Sequence, residues 1–177
     1  GKNIKALEVQ GTFDDCQRMV KQAFADETLT QKRMLTSANS INVARWLPQQ
    51  FYYFFAYKQW SQKDKPPVFS VPSGNFGNIC AGLLAHICGL PAAHFIAACN
   101  VNDVVPRYLH SGNYEVKKAL PTLSNAMDVG DPSNFVRVLQ LFDNNFINLK
   151  KMLSGYTVTD AETKDTIRRV NQDTGYL

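Results

Sequence analysis

From Thr12 onward the apolar positions fall at Cys16, Met19, Val20, Ala23 and Phe24, the i, i+3, i+4, i+7, i+8 stripe of an amphipathic helix. Thr12 followed by Asp15 has the spacing of a capping box that would open it. Residues 3–9 ahead of it form a short apolar-rich run suited to a strand, punctuated by Gly11. Residues 36–45 are small and polar, rich in side chains that cap helices. Residues 51–60 then carry seven aromatics, too many for one helix face, so they predict a helix buried on most sides or set at a subunit contact. Pro48 starts or kinks that helix. Ser61 to Pro67 is the best linker candidate, and the β-branched run Val68-Phe69-Ser70-Val71 after it predicts a strand. An apolar helix follows from Asn78 to Cys88, stopped by Gly89-Leu90-Pro91, and Phe95 to Cys99 predicts a second buried strand.

Strand, helix and strand at this spacing imply a crossover between parallel strands, and hence an α/β fold. Beyond it, the pattern predicts a short helix over 104–110 ended by Gly112. Another starts at Asp131-Pro132 with Phe135, Val138, Leu139 and Phe142 on one face. A further helix is expected to end at Gly155, and Thr159 with Glu162 opens a last, charged one.

Composition narrows the classes. With 177 residues, 45% hydrophobic, 11% aromatic and 19% charged, the chain is long enough for a core and too apolar for disorder. No window approaches the roughly 20 consecutive apolar residues of a membrane-crossing helix. The net charge of +4 is spread along the chain with no Lys/Arg run beyond two, so nothing points to nucleic acid or an anionic membrane. Cys16, Cys80, Cys88 and Cys99 form no Cys-x-x-Cys pair, and His86, His94 and His110 form no His-x-x-x-His signature, which argues against zinc. Four such thiols without a signal sequence are expected in a cytoplasmic protein. His86 and His94 are expected as core histidines and His110 as a surface residue. The chain opens at Gly1-Lys2 without a methionine, which suggests an internal piece of something longer.

The chemistry concentrates in Pro72-Ser73-Gly74-Asn75-Phe76-Gly77-Asn78, between a predicted strand and a predicted helix. Ligands of open α/β sheets bind at the carboxyl ends of strands. Two glycines three apart let the backbone fold tightly, and the helix behind supplies unpaired N–H donors and about half a positive charge. Asn75 and Asn78 are candidate side-chain donors. The ligand so predicted is an anion. Neither Gly-x-x-x-x-Gly-Lys-Ser/Thr nor Gly-x-Gly-x-x-Gly is present, so a single phosphate monoester fits better than a nucleotide. An ordinary strand-to-helix turn using Gly and Asn for positive φ accounts for Gly-x-x-Gly equally well.

Ser-Gly-Asn-Phe-Gly-Asn at 73–78 resembles the loop that holds the phosphate of pyridoxal 5'-phosphate in the threonine synthase family, enzymes of PLP fold type II. Further matches are Asn39-Ser40-Ile41-Asn42-x-x-Arg45, then Ala98-x-Asn100-x-Asn102-Asp103-x-Val105-Pro106-Arg107. Thr122-Leu123-Ser124-Asn125-Ala126-Met127-Asp128 and Pro132-Ser133-Asn134 follow in order. The resemblance covers about residues 3–155. It implies a parallel-sheet three-layer sandwich, with residues 1–65 as the end of a small domain and 66–177 as part of the large cofactor domain.

It also implies that Gly74, Asn75, Phe76, Gly77 and Asn78 wrap the cofactor phosphate. Ser40, Asn42 and Arg45 would take the phosphate of O-phospho-L-homoserine, with Asn75 between the two anions. Arg45 offers a planar, permanently charged fork, and that role stands ahead of the alternative of a surface arginine on an exposed helix face; for Asn42 a simple N-cap stands ahead of ligand contact. For Asn100, Asn102 and Asp103, capping the next helix stands ahead of bordering the cleft. The family's cofactor lysine sits in a motif close to Thr-Leu-Ala-Phe-Lys-Asp, which does not occur in these residues, so no catalytic residue is assigned here. The expected reaction converts O-phospho-L-homoserine and water to L-threonine and phosphate. Alternatives are another fold-type II PLP enzyme, such as a cysteine synthase or threonine dehydratase, or a non-catalytic anion-binding α/β domain.

Overall fold

The computed structural model describes residues 2–39 and 42–176, and the chain divides into two compact units, 1–37 and 38–177. In the first unit, α1 (Phe13–Ala25) begins at the expected capping box: the Thr12 hydroxyl accepts from the Asp15 N–H at 3.4 Å, and the Asp15 carboxylate accepts from the Thr12 N–H at 2.8 Å. Asp26 ends α1 and caps α2 (Glu27–Lys32), accepting from the N–H groups of Thr28 and Leu29. Of the apolar stripe on α1, Cys16, Val20 and Ala23 are half-buried, while Met19 and Phe24 are exposed. Residues 3–9 form no strand, contrary to the pattern, and Ile4 and Leu7 are exposed. A strand exists only by pairing, and this run pairs with no described strand.

The second unit opens with α3 (Val43–Trp46), a 3-10 turn over Leu47–Gln49 that contains Pro48, and α4 (Gln50–Gln59). Only Tyr53 of α4 is buried; Phe51, Tyr52 and Phe55 are 61%, 67% and 59% exposed, so this helix is not enclosed on most sides. Strand β1 (Val68–Pro72), α5 (Gly77–Ile87) and β2 (His94–Cys99) follow as the predicted crossover. Then come α6 (Val104–Ser111), a 3-10 turn at Asn125–Met127, α7 (Phe135–Leu141), α8 (Phe146–Met152), β3 (Leu153–Thr157) and α9 (Asp160–Thr174).

The three strands form one parallel sheet in the order β1-β2-β3. Phe69, Phe95 and Leu153 stand in register on one face, with Val71, Ala97 and Gly155 beside them. That face carries the core, where Ile79, Leu83, Phe95, Leu149 and Leu153 are fully buried and the Phe69 and Phe95 rings stack at 5.5 Å. Burying each such side chain contributes about 1.5–3 kcal/mol. On the opposite face Val68, Ser70, Pro72, Ser154 and Tyr156 are exposed. No helix among the described residues is long and apolar enough to cross a membrane.

Strand β3 departs from expectation. The pattern read Gly155 as the end of a helix, whereas it lies mid-strand, and its bare Cα admits α6: a Cβ there would stand 2.6 Å from the Pro106 Cα. Gly155→Val should therefore destabilise the protein by about 1–3 kcal/mol through forced displacement of α6. Urea titration checks this, and an unchanged midpoint would mean that α6 does not rest on β3.

The box that opens α9 makes a pH prediction. Thr159 donates to the Glu162 carboxylate from its N–H at 2.8 Å and from its hydroxyl at 2.7 Å. These bonds favour the ionised form and hold the carboxyl below its ordinary 4.5. The folded state thus binds the proton less well, so the cap stabilises fully above pH 4.5 and weakens as pH falls through the lowered folded value. Carboxyl NMR titration should place the Glu162 midpoint below 4.5, and Thr159→Ala should raise it.

Candidate anion-binding turn

Strand β1 delivers the turn 73–78 to the head of α5. The Ser73 N–H donates to the Ala98 carbonyl at 2.8 Å, extending the β1–β2 ladder by one step, and the Ser73 hydroxyl donates to the Val71 carbonyl. The chain then reverses at Phe76, which adopts a left-handed backbone with φ 63°. Neither Gly74 nor Gly77 has positive φ, so the sequence expectation that glycine and asparagine supply the bend is corrected: a buried phenylalanine supplies it. Its ring packs edge-on against Phe135 of α7 at 5.5 Å, and Phe135 in turn meets Tyr108 and Tyr114.

Gly74 serves close approach instead. A Cβ on it would lie 2.8 Å from the Met127 Cα, so only a bare Cα lets the 3-10 turn 125–127 settle against it. Asn75 ties the turn to the segment before α7, its carboxamide oxygen accepting from the Ser133 N–H at 2.7 Å and hydroxyl at 2.9 Å. Asn78 is tied to α4: the Tyr53 hydroxyl donates to its side-chain oxygen at 2.6 Å and to its carbonyl at 3.0 Å. Burial pushes the Tyr53 phenol well above its ordinary value, which keeps it a donor.

With these oxygens occupied, the main-chain donors remain. Among the described residues no backbone acceptor and no capping side chain takes the N–H groups of Gly74, Phe76, Gly77 or Asn78, and Gly74, Phe76 and Gly77 are buried. Such a group left unpaired in the interior costs about 1–3 kcal/mol. An acceptor with several oxygens fits this donor set, at a helix end that carries partial positive charge.

Of the other predicted site residues, Ser40 lies outside the described residues. Asn42 is an N-cap, its side-chain oxygen accepting from the Ala44 N–H at 3.1 Å. Arg45 is exposed on α3 and its guanidinium donates to the Ala38 carbonyl. Helix α3 packs against α5, so both candidate phosphate segments lean on the same helix.

The expected capping roles of Asn100, Asn102 and Asp103 do not hold, because no side chain caps α6. Asp103 instead pairs with Arg107 at 2.8 Å and accepts from the Thr157 hydroxyl, while Asn100 and Asn102 bond the segment 120–128. No sequence spacing flagged that network, whose partners lie 18 to 28 residues apart.

His86 is half-buried and bonds the Leu90 carbonyl through Nδ1. His94 is also half-buried, bonded to Lys151 and Ser154. Cys80 and Cys99 are buried thiols pushed up to about 12 by burial, and Cys88 is exposed. The described residues contain no cluster of His, Cys, Asp and Glu able to hold a metal. A cavity of about 550 Å³ lies apart from the turn, between α6 and β3, with Asp103, Arg107, His110 and Glu115 in its wall. Its mixed charges single out no ligand.

No protein-family profile matches the chain. Threonine synthase of Haemophilus influenzae is 50% identical over 178 residues, covering 100% of this chain and 41% of that protein. The crystal structure of threonine synthase from Escherichia coli superposes with a TM-score of 0.92 at 48% identity, over 99% of this chain and 41% of that one. The structure of PLP-bound threonine synthase from Brucella melitensis superposes at 0.84 with 35% identity, over 99% and 43%. The chain spans about two-fifths of the length of these relatives. Within that span likeness in sequence and in fold runs from end to end, and the chain belongs to the threonine synthase family.

Proposed function

We propose that the turn 73–78 binds the phosphate of pyridoxal 5'-phosphate, and that the protein carrying this chain converts O-phospho-L-homoserine and water to L-threonine and phosphate. The observation that carries this is the set of N–H groups of Gly74, Phe76, Gly77 and Asn78, at the head of α5, for which no acceptor stands among the described residues. A relative 35% identical to this chain is PLP-bound. When bound, the cofactor supplies an electron sink that lets the substrate shed its γ-phosphate and accept water at Cβ. The residues of this chain hold and orient. Backbone donors meet the cofactor phosphate, the Asn75–Ser133 and Tyr53–Asn78 bonds keep those donors aimed, and Arg45 with Ser40 and Asn42 takes the substrate phosphate. On this reading 1–65 closes the small domain and 66–177 belongs to the large one. The lysine that carries the cofactor is expected in a part of the protein other than these residues.

Two outcomes test the proposal. Titrating inorganic phosphate into protein labelled at glycine and asparagine amides should shift Gly74, Asn75, Gly77 and Asn78 together along one saturable curve. If those resonances stay still while phosphate reaches tens of millimolar, the turn is only a bend. In the protein carrying this chain, Arg45→Ala should raise KM for O-phospho-L-homoserine at least about tenfold, near 1.4 kcal/mol, and leave the PLP dissociation constant within about twofold. Unchanged KM would remove Arg45 from substrate binding.

A further inference from the structure

We infer that Asn100 positions the anion-binding turn, acting through a polar knot that seats Met127 on Gly74; this rests on the reading that the turn binds phosphate. Asn100 stands one residue past β2 and is 8% exposed. Its Nδ2 donates to the Asp128 carboxylate at 2.8 Å, to the Thr122 hydroxyl at 2.9 Å and to the Ser124 hydroxyl at 3.2 Å. Its Oδ1 accepts from the N–H of Asn102 at 2.9 Å and from the Asn102 carboxamide at 3.0 Å. One side chain therefore donates on one side and accepts on the other, which an aspartate or a leucine of similar size does not do.

The knot closes on itself. Asp128 accepts from the Thr122 N–H at 2.9 Å and from its hydroxyl at 2.7 Å, so the loop 122–128 is pinched at its base. Asn102 exchanges two bonds with Leu120, at 2.7 and 2.9 Å, and fixes the approach to that loop. The 3-10 turn at its tip then brings the Met127 backbone onto Gly74, closer than any side chain at 74 allows. Gly74 opens the run of donors that would meet the phosphate. Through this chain of contacts, the end of β2 sets the position of a turn that follows β1.

The test uses the protein that carries this chain, with PLP and inorganic phosphate as probes. Asn100→Asp keeps the acceptor toward Asn102 and sets a carboxylate against that of Asp128. The swap Asn100→Asp with Asp128→Asn restores one donor and one acceptor across the pair. Dissociation constants are measured well below the unfolding midpoint of each variant, where all are folded. Asn100→Asp should weaken both probes at least about tenfold, and the swap should bring both back to within about threefold of the unsubstituted protein. A purely structural role would lower the unfolding midpoint and leave these affinities alone; that result overturns the inference. Equal loss in the single variant and the swap overturns it as well. If Asn100→Asp shows no cooperative unfolding, Thr122→Val removes one hydroxyl from the knot and should weaken phosphate about threefold, with no weakening counting against the inference. Unsubstituted protein that binds neither probe sinks the phosphate reading and the inference with it, whereas normal binding in both it and Asn100→Asp sinks the inference alone.

Discussion

The turn after β1 depends on a left-handed backbone held by a side chain that rarely accepts one. At φ 63° Phe76 carries a cost of about 1–3 kcal/mol that glycine would avoid. What offsets it is the ring, buried and packed edge-on against Phe135, since burying a phenylalanine contributes about 1.5–3 kcal/mol. The two magnitudes nearly cancel. The conformation is therefore neither relaxed nor forced; it persists while α7 stays where Phe135 places it. Glycine at 76 would give the same bend more cheaply and would lose the anchor that fixes its direction.

Three further contacts brace the same turn from separate elements: Ser133 ahead of α7 holds Asn75, Tyr53 of α4 holds Asn78, and Met127 covers Gly74. Each constrains a different residue, so the amides have little freedom to turn toward acceptors of their own. Preorganisation of this kind spends conformational entropy on folding, before any ligand arrives. It also explains why α4 is useful despite its exposed aromatics: its one buried ring, Tyr53, meets Phe69 and Phe95 in the core while its hydroxyl reaches the first turn of α5.

Much of this was legible in the residues. The β1–α5–β2 crossover followed from a β-branched run, an apolar helix and a Gly-then-Pro stop, and the capping boxes at Thr12 and Thr159 stand where the Thr-x-x-acid spacing put them. Those signals are local: each depends on residues three or four apart. The misses share the opposite property. Strand β3 is five residues with a central glycine, and it becomes a strand only because β2 lies alongside and α6 needs space above Gly155. Residues 3–9 have a strand's composition and no partner among the described strands. The turn was recognised by its glycines, yet they supply space and helix start while Phe76 supplies the bend, a division that depends on Phe135 some sixty residues later. The Asn100 network had no local signature, because its function is to join segments far apart in sequence.

The character of the donors has a last consequence for the proposed phosphate site. Backbone N–H groups do not titrate, and two buried groups beside the turn stay neutral near pH 7: Cys80 is pushed up to about 12 by burial, and the Tyr53 phenol is raised for the same reason. A phosphate held there would meet the fixed dipoles of those amides. Its own second ionisation, near pH 6, would govern how strongly it is held. A cluster of lysines would bind any polyanion and lose its grip as salt rises. Oriented amides in a water-poor turn favour a compact oxyanion matching their geometry, and salt screens such a partly buried contact far less. Under the proposed function, that division would separate a phosphate held permanently from one released at each turnover. On this reading the lasting ligand belongs to the rigid amides of 74–78 and the transient one to the exposed, charged Arg45.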